Sequence, residues 1–293
     1  MTLPAALRER VVVLDGGLAT ELERRGNDLS SALWSARLLR DQPDEIIAAH
    51  RAFADSGAEV ATTASYQASF DGLGADAELL MRRSVDLARR GSDGWVAASV
   101  GPYGATLADG SEYRGDYGLT VAQLRRWHRP RLAVLADAGA DVLAVETIPC
   151  LAEVAALLAE LDALGFPAWL SLTCDATSTR AGEPAAEAFA MARDCDAVFA
   201  VGVNCTDPHD VEELVRAAVS ASGKPAVVYP NSGERWDAAR RTWVGAPDFD
   251  PDLVRSWVAA GARLVGGCCR VGPAEIAAVA TAIRPDPARS PTG

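Results

Sequence analysis

The sequence predicts an α/β chain folded as a single (β/α)8 TIM barrel. Short runs of β-branched and apolar residues alternate eight times with helical patterns. The strand runs are apolar almost without interruption, as strands covered on both faces must be. A joint of helix, small residue-Gly-Ala and strand recurs at Ser56-Gly57-Ala58, Ala138-Gly139-Ala140 and Ala260-Gly261-Ala262. A glycine just past a helix takes the left-handed conformation that ends it. The 293 residues suit a fold of roughly 250 residues with a few longer loops. An open doubly wound sheet is the alternative arrangement of the same units, but eight in a row favour closure.

The first unit places a strand at Val11–Leu14, ending at Asp15, and a helix over 43–56. The second has a strand at 59–63 and a helix over 75–90. The third has a strand at 95–100, a long Gly-rich loop and a helix over 120–138. The fourth pairs a strand at 141–146 with a helix over 151–164. The second half repeats the rhythm: strands at 168–173, 197–203, 226–229 and 263–267, and helices over 184–193, 208–222, 252–260 and 273–283. Residues 1–283 thus read as one barrel domain, and 284–293 as a polar, disordered tail.

Lys and Arg number 28 against 40 Asp and Glu, a formal charge of −12. No basic stripe for nucleic acid is expected from such a balance. No run approaches the roughly 18 apolar residues of a membrane span, and residues 1–10 show no secretory signal. The expected setting is cytoplasmic, with small-molecule substrates and no obligate protein partner. The six cysteines should be reduced there, which favours metal or chemistry over a disulfide framework.

In a barrel of this kind the chemistry sits at the C-terminal ends of the strands. Gly202-Val203-Asn204-Cys205 closes strand six and Gly266-Gly267-Cys268-Cys269-Arg270 closes strand eight. Only strand seven lies between, so the three thiols share one rim. Cys205, Cys268 and Cys269 make a soft three-thiolate set suited to zinc, with a fourth position left open as in catalytic sites. Neighbouring strand residues point to opposite faces, so Gly266 and Gly267 must let the chain turn for both cysteines to reach one ion. The alternatives are three buried small hydrophobes or a vicinal disulfide. Cys150, Cys174 and Cys195 fit the buried reading.

Asp15 and Glu146 end apolar strands, where an unpartnered carboxylate would be expensive. Each could receive an ammonium group. Asp15 could instead cap a turn, and Glu146 could pair with Arg114, Arg180 or Arg270. Gly16 and Gly17 expose amides able to bind a carboxylate. An acid for an amine and amides for a carboxylate together read an amino acid. Tyr66 in Thr63-Ala64-Ser65-Tyr66-Gln67, Asn204 beside Cys205, and Asn231 in Tyr229-Pro230-Asn231-Ser232-Gly233-Glu234 are further candidates for lining the pocket. The histidines, His50, His128 and His209, lie in or near helices and receive no role.

Together these motifs resemble the homocysteine S-methyltransferase family, whose relatives include betaine-homocysteine methyltransferase and the homocysteine module of methionine synthase. The resemblance runs from about Val12 to Ile283. Its carriers include Leu14-Asp15-Gly16-Gly17, Ala32-Leu33-Trp34-Ser35-Ala36, Glu146-Thr147-Ile148-Pro149, and the two cysteine blocks. The resemblance implies a (β/α)8 barrel, one zinc ion on Cys205, Cys268 and Cys269, and recognition of the homocysteine amine by Asp15 and Glu146. The Trp34 loop and the Tyr229–Glu234 segment look closest to the branch that uses S-methylmethionine. One departure stands out: Val271 and Gly272 occupy positions where the family pattern leads one to expect two threonines.

The reaction implied is transfer of a methyl group from a methyl-sulfonium donor (S-methylmethionine, with S-adenosylmethionine second) to the homocysteine thiolate, forming methionine. The rivals are a zinc hydrolase, a methyltransferase for another thiol, and a non-catalytic zinc-binding barrel with a binding or regulatory role.

Overall fold

The computed structural model describes residues 1–29, 34–237 and 242–284. Eight strands form one sheet: β1 Val12–Val13, β2 Val60–Thr62, β3 Trp95–Val100, β4 Val142–Ile148, β5 Ala168–Leu172, β6 Val198–Asn204, β7 Ala226–Tyr229 and β8 Ala262–Val265. Each is followed by a barrel helix: α1 Pro43–Asp55, α2 Ala77–Gly91, α3 Val121–Asp137, α4 Leu151–Leu164, α5 Ala185–Met191, α6 Val211–Ser222, α7 Pro251–Ala260 and α8 Pro273–Ala282. The spatial order is β1-β8-β7-β6-β5-β4-β3-β2, with parallel pairing throughout. A parallel bridge from Leu14 to Val60 joins the ends. The Glu59 N–H donates to Val13 O at 2.9 Å and the Asp15 N–H to Val60 O at 3.2 Å. The expected barrel is therefore what the chain forms, and the open-sheet alternative falls away.

Strand side chains alternate between two apolar layers, as a period of two requires. Val96, Ala98, Leu143, Val145, Leu170, Val201 and Val203 point outward and pack beneath the helices. Val12, Val60, Ala97, Val142, Ala144, Trp169, Ala200, Val227 and Leu264 fill the interior. Both faces are dry, which explains the near-continuous apolar runs. The interior face changes character near the C-terminal ends. Two residues beyond Ala97, Ala144, Trp169 and Gly202 stand Ser99, Glu146, Ser171 and Asn204, all buried. This polar layer is the floor of the site.

Local signals set the helix ends. Thr120 and Gln123 form a reciprocal capping box at the start of α3, satisfying two of its free N–H groups. Gly165 and Gly223 end α4 and α6 in the left-handed region, at φ 66° and 71°.

Several elements lie outside the eight-unit pattern. A helix at Leu3–Glu9 precedes β1, and Leu3, Ala6 and Leu7 join the interior cluster, closing the N-terminal end of the barrel. Helices Leu18–Arg24 and Trp34–Asp41 fill the long β1–α1 connection. Small antiparallel hairpins follow β5 and β7. Ala32, Leu33 and the tail from 285 to 293 lie outside the described residues. Among the described residues no helix is long and apolar enough to cross a membrane.

Candidate active site

The C-terminal rim brings the three cysteines of strands six and eight together. One sulfur from each of Cys205, Cys268 and Cys269 lies within 4.8 Å of the others. Backbone conformation makes this convergence. Cys205 leaves β6 with φ of 49°, and Arg270 follows the cysteine pair with φ of 66°. Non-glycine residues adopt such angles only where the surroundings impose them, and they collect at functional sites. The Cys268 N–H donates to Pro230 O at 2.7 Å and the Cys205 N–H to Tyr229 O at 3.3 Å. The Cys269 N–H donates to the Asn231 side-chain carbonyl at 3.2 Å. The loop after β7 thus grips both cysteine loops.

The glycines serve close approach. A Cβ on Gly17 would fall 2.4 Å from Cys268 O, and one on Gly267 would fall 2.1 Å from Val271 Cγ1. Val271, in place of the expected threonine, is fully buried in that gap. Gly272 caps α8 without a side chain, and its N–H donates to Glu275 at 2.8 Å.

Cys205 and Cys268 stand as a disulfide pair with Cα atoms 5.6 Å apart, whereas the sequence leads one to expect three free thiols. The Cys268 and Cys269 sulfurs remain 4.0 Å apart, so the bond is not the vicinal one. The departure has a simple cause: thiols packed closely enough to share an ion are also within reach of each other. Once that pair is reduced, the three thiols form a donor set that fits a soft-to-borderline ion such as zinc. Burial also pushes the Cys269 thiol up to about 12, so a bound cation is what would hold it as a thiolate.

Two acids face this centre. Asp15 is 4% exposed and Glu146 is 7% exposed. Asp15 accepts the Thr62 N–H at 2.7 Å and the Thr62 hydroxyl at 2.8 Å, so it spans two strands rather than capping its own turn. Burial nevertheless raises its pKa to about 7, against the lowering effect of Thr62. Glu146 accepts from the Ser99 hydroxyl and from Tyr229, yet burial raises it also to about 7. The Tyr229 oxygen in turn accepts the Trp169 indole N–H at 2.9 Å.

None of the three arginines considered for Glu146 reaches it. Arg114 pairs with Asp109 and Asp116. Arg270 pairs with Glu234. Arg180 lies over the Tyr113 ring and donates to Thr173 and to Cys205 O. Two buried carboxyls without a cation partner among the described residues form a pocket poised for a positively charged group.

The remaining candidates divide. Tyr66 stands at the rim with its side chain hydrogen-bonded to Thr147 and within charge range of Glu146. Asn231 orients Cys269, as described above. Asn204 is inferred from sequence as a substrate contact, but both ends of its amide are engaged by protein. Its oxygen accepts from the Thr147 N–H and Ser171 hydroxyl, each at 2.7 Å. Its nitrogen donates to the Thr147 hydroxyl at 2.7 Å and lies 3.4 Å from the Cys205 sulfur. Asn204 therefore locks Thr147, which has φ of 61°, beside the cysteine centre. The Gly17 N–H is likewise taken, by Val271 O at 2.9 Å; of the two exposed amides expected there, that leaves Gly16.

Sequence reading missed Ser99 and Thr62 as partners of the acids. The signal was a lone hydroxyl on the interior face of each strand. It also missed Arg131, which is 1% exposed and donates to Gly101 O at 3.0 Å and Tyr66 O at 3.1 Å. Arg131 lies on the same buried helix stripe as Leu124, His128 and Leu135, and a charge there needs partners. His128 is buried too, 2.9 Å from Glu153, which accepts the Tyr103 N–H at 2.6 Å. Both side chains pin the rim loops after β2 and β3.

Comparison with known proteins agrees with this geometry. The family model described as homocysteine S-methyltransferase matches residues 12–283. Homocysteine S-methyltransferase YbgG of Bacillus subtilis is 41% identical, over 92% of this chain and 93% of its own. The selenocysteine Se-methyltransferase of Brassica oleracea var. italica is 41% identical, over 91% and 87%. The homocysteine methyltransferase MmuM of Escherichia coli, solved in a metallated form, superposes with a TM-score of 0.84 at 40% identity, covering 94% of this chain and 98% of that one. MmuM has also been solved in an oxidised form. A three-cysteine rim, two buried acids and likeness over nearly the whole chain lead to one assignment: this protein belongs to the homocysteine S-methyltransferase family.

Proposed function

We propose that this chain transfers a methyl group from a methyl-sulfonium donor, S-methylmethionine first and S-adenosylmethionine second, to the thiol sulfur of homocysteine, forming methionine. The observation that carries this reading is the meeting of three cysteine sulfurs within 4.8 Å with two buried acids that have no cation partner among the described residues. Zinc held by Cys205, Cys268 and Cys269 would supply the charge that keeps the acceptor thiol deprotonated near neutral pH.

The protein's own groups fix the reactants. Asp15 and Glu146 take the homocysteine ammonium group. Thr62 holds the first acid in place, and Ser99 and Tyr229 hold the second. The Gly16 N–H is free to meet the carboxylate. Asn204 and Asn231 keep the cysteine loops in register. The acceptor sulfur lone pair forms the new bond to the methyl carbon as the donor carbon–sulfur bond breaks, and that electron pair stays on the donor sulfur. The positive sulfonium and the negative thiolate both end neutral. A dry pocket does not oppose such neutralisation as water does, and alignment of the two sulfurs supplies much of the rate. A cytoplasmic setting suits the reduced thiols.

The relative named for selenocysteine favours a second reading, in which a selenol is an alternative acceptor on the same rim. The test is methionine formation from homocysteine with each donor, together with zinc content under reducing conditions. About one zinc per chain, the count for a single three-thiolate site, with methionine from a sulfonium donor is the expected result. Zinc without product from any donor would overturn the reaction.

A further inference from the structure

The loop from β3 to α3 arches over the rim. At its start Gly101 lies so close to Tyr66 that a Cβ would fall 2.7 Å from the ring. At Gly115 it rests against Cys150 and the Pro149 carbonyl at the end of β4. Between these supports the Ser111–Tyr113 turn brings two side chains to the cysteine centre. The Tyr113 hydroxyl hydrogen-bonds to Cys269. Glu112 has its Oε2 buried with no hydrogen-bond partner among the described residues.

The Glu112 charge acts on Tyr66, Tyr113 and Cys269, which are all rim groups of the site. Burial raises its pKa above the ordinary carboxylate value. Arg114 acts on Glu112 through its charge but makes its contacts to Asp109, Asp116 and Ser111, and Arg180 makes its own to Tyr113, Thr173 and Cys205 O. A bare carboxylate oxygen removed from water is satisfied by a cation. The acceptor's ammonium group already has Asp15 and Glu146.

We propose that Glu112, with Tyr66 and Tyr113 beside it, seats the sulfonium cation of the methyl donor. The proposal rests on the methyl-transfer reading above. An anion and electron-rich rings both favour a sulfonium. The same seat has no charge to attract once the methyl has left and the donor sulfur is a neutral thioether, so it distinguishes donor from spent product. The positive charge on the donor declines as the methyl moves. Glu112 therefore binds the donor more strongly in the ground state than in the transition state, and acts on KM rather than on kcat.

The test is steady-state kinetics of the zinc-loaded wild type, Glu112→Gln and Glu112→Asp, varying each substrate at saturating levels of the other. Circular dichroism and zinc content serve as structural readouts. Glu112→Gln should raise the donor KM by about ten- to a hundredfold, the range for one charge-assisted contact. Its kcat should be unchanged or higher, its homocysteine KM unchanged, and its zinc content equal to wild type. Glu112→Asp, which keeps the charge, should fall between. A donor KM that stays constant in Glu112→Gln overturns the proposal. So does a rise confined to the homocysteine KM, or a fall in kcat that tracks lost zinc. A wild type that makes no methionine overturns the methyl-transfer reading itself, which separates the two failures.

Discussion

Replacing Glu146 by glutamine keeps the shape and the acceptor oxygen for Ser99 and Tyr229 but removes the charge. Burial lifts this carboxyl from 4.5 to about 7. A rise of about 2.5 pH units, at about 1.36 kcal/mol each, makes the ionised form cost the empty fold about 3 kcal/mol. The sign follows from proton uptake. Between pH 4.5 and 7 the folded protein holds a proton on Glu146 that the unfolded chain has released, so stability falls as pH rises through this window and then levels off. Asp15, lifted from 3.8 to about 7, adds to the fall with the same sign. Glu146→Gln should therefore be more stable than wild type at pH 8 by about 2–3 kcal/mol, or about 5 °C in Tm, with much of that advantage gone at pH 5. The same variant should bind homocysteine at least about tenfold more weakly, having lost one carboxylate for the ammonium group. Thermal unfolding at the two pH values, paired with homocysteine titration, checks both halves. A variant less stable than wild type at pH 8 would refute the reasoning, because the carboxylate would then have a partner in the free protein.

Cys268→Ser should reduce zinc from about one ion per chain to a small fraction and remove methyl transfer with it, while circular dichroism stays unchanged; retention of both metal and activity would remove Cys268 from the centre. The double variant Val271→Thr, Gly272→Thr restores the threonines expected of the family. Its first hydroxyl enters a buried gap beside Gly267, at a cost of about 1–3 kcal/mol, while its second gains a helix cap worth a few tenths of a kcal/mol. The expected result is a Tm lower by about 2–6 °C and unchanged donor preference. A switch in donor preference would show that these positions reach the pocket.

The barrel was legible because its strands are covered on both faces and its helices end at recurrent glycines. Strand β7 at 226–229 falls where the pattern puts it; α6 begins at Val211 rather than 208, because Asp207 holds the intervening residues in a turn, its side chain accepting the His209 N–H at 3.0 Å and its carbonyl the Asp210 N–H at 3.2 Å. The cysteine blocks were legible because two glycines precede a cysteine pair at a strand end. What the sequence hid was the partner of each acid. Thr62, Ser99 and Tyr229 are ordinary residues for a strand, and only closure of the barrel brings them to Asp15 and Glu146. The helix at Leu3–Glu9 was missed for another reason. Seven residues are too few for a periodic signal, and its stability comes from the barrel mouth it covers. Asn204 was legible as a rim residue beside a cysteine, but its bonds to Thr147 and Ser171 depend on strands that only the closed barrel brings together.

That short N-terminal helix also governs traffic. With Leu3 and Leu7 lodged in the interior cluster, the N-terminal mouth of the packed barrel is plugged, which leaves the C-terminal rim as the face open to substrates. On that rim Asp15 and Glu146 sit in the buried polar layer at the strand ends. Small molecules therefore come and go on the face where the strands end, the face that carries Asp15, Glu146 and the three cysteines.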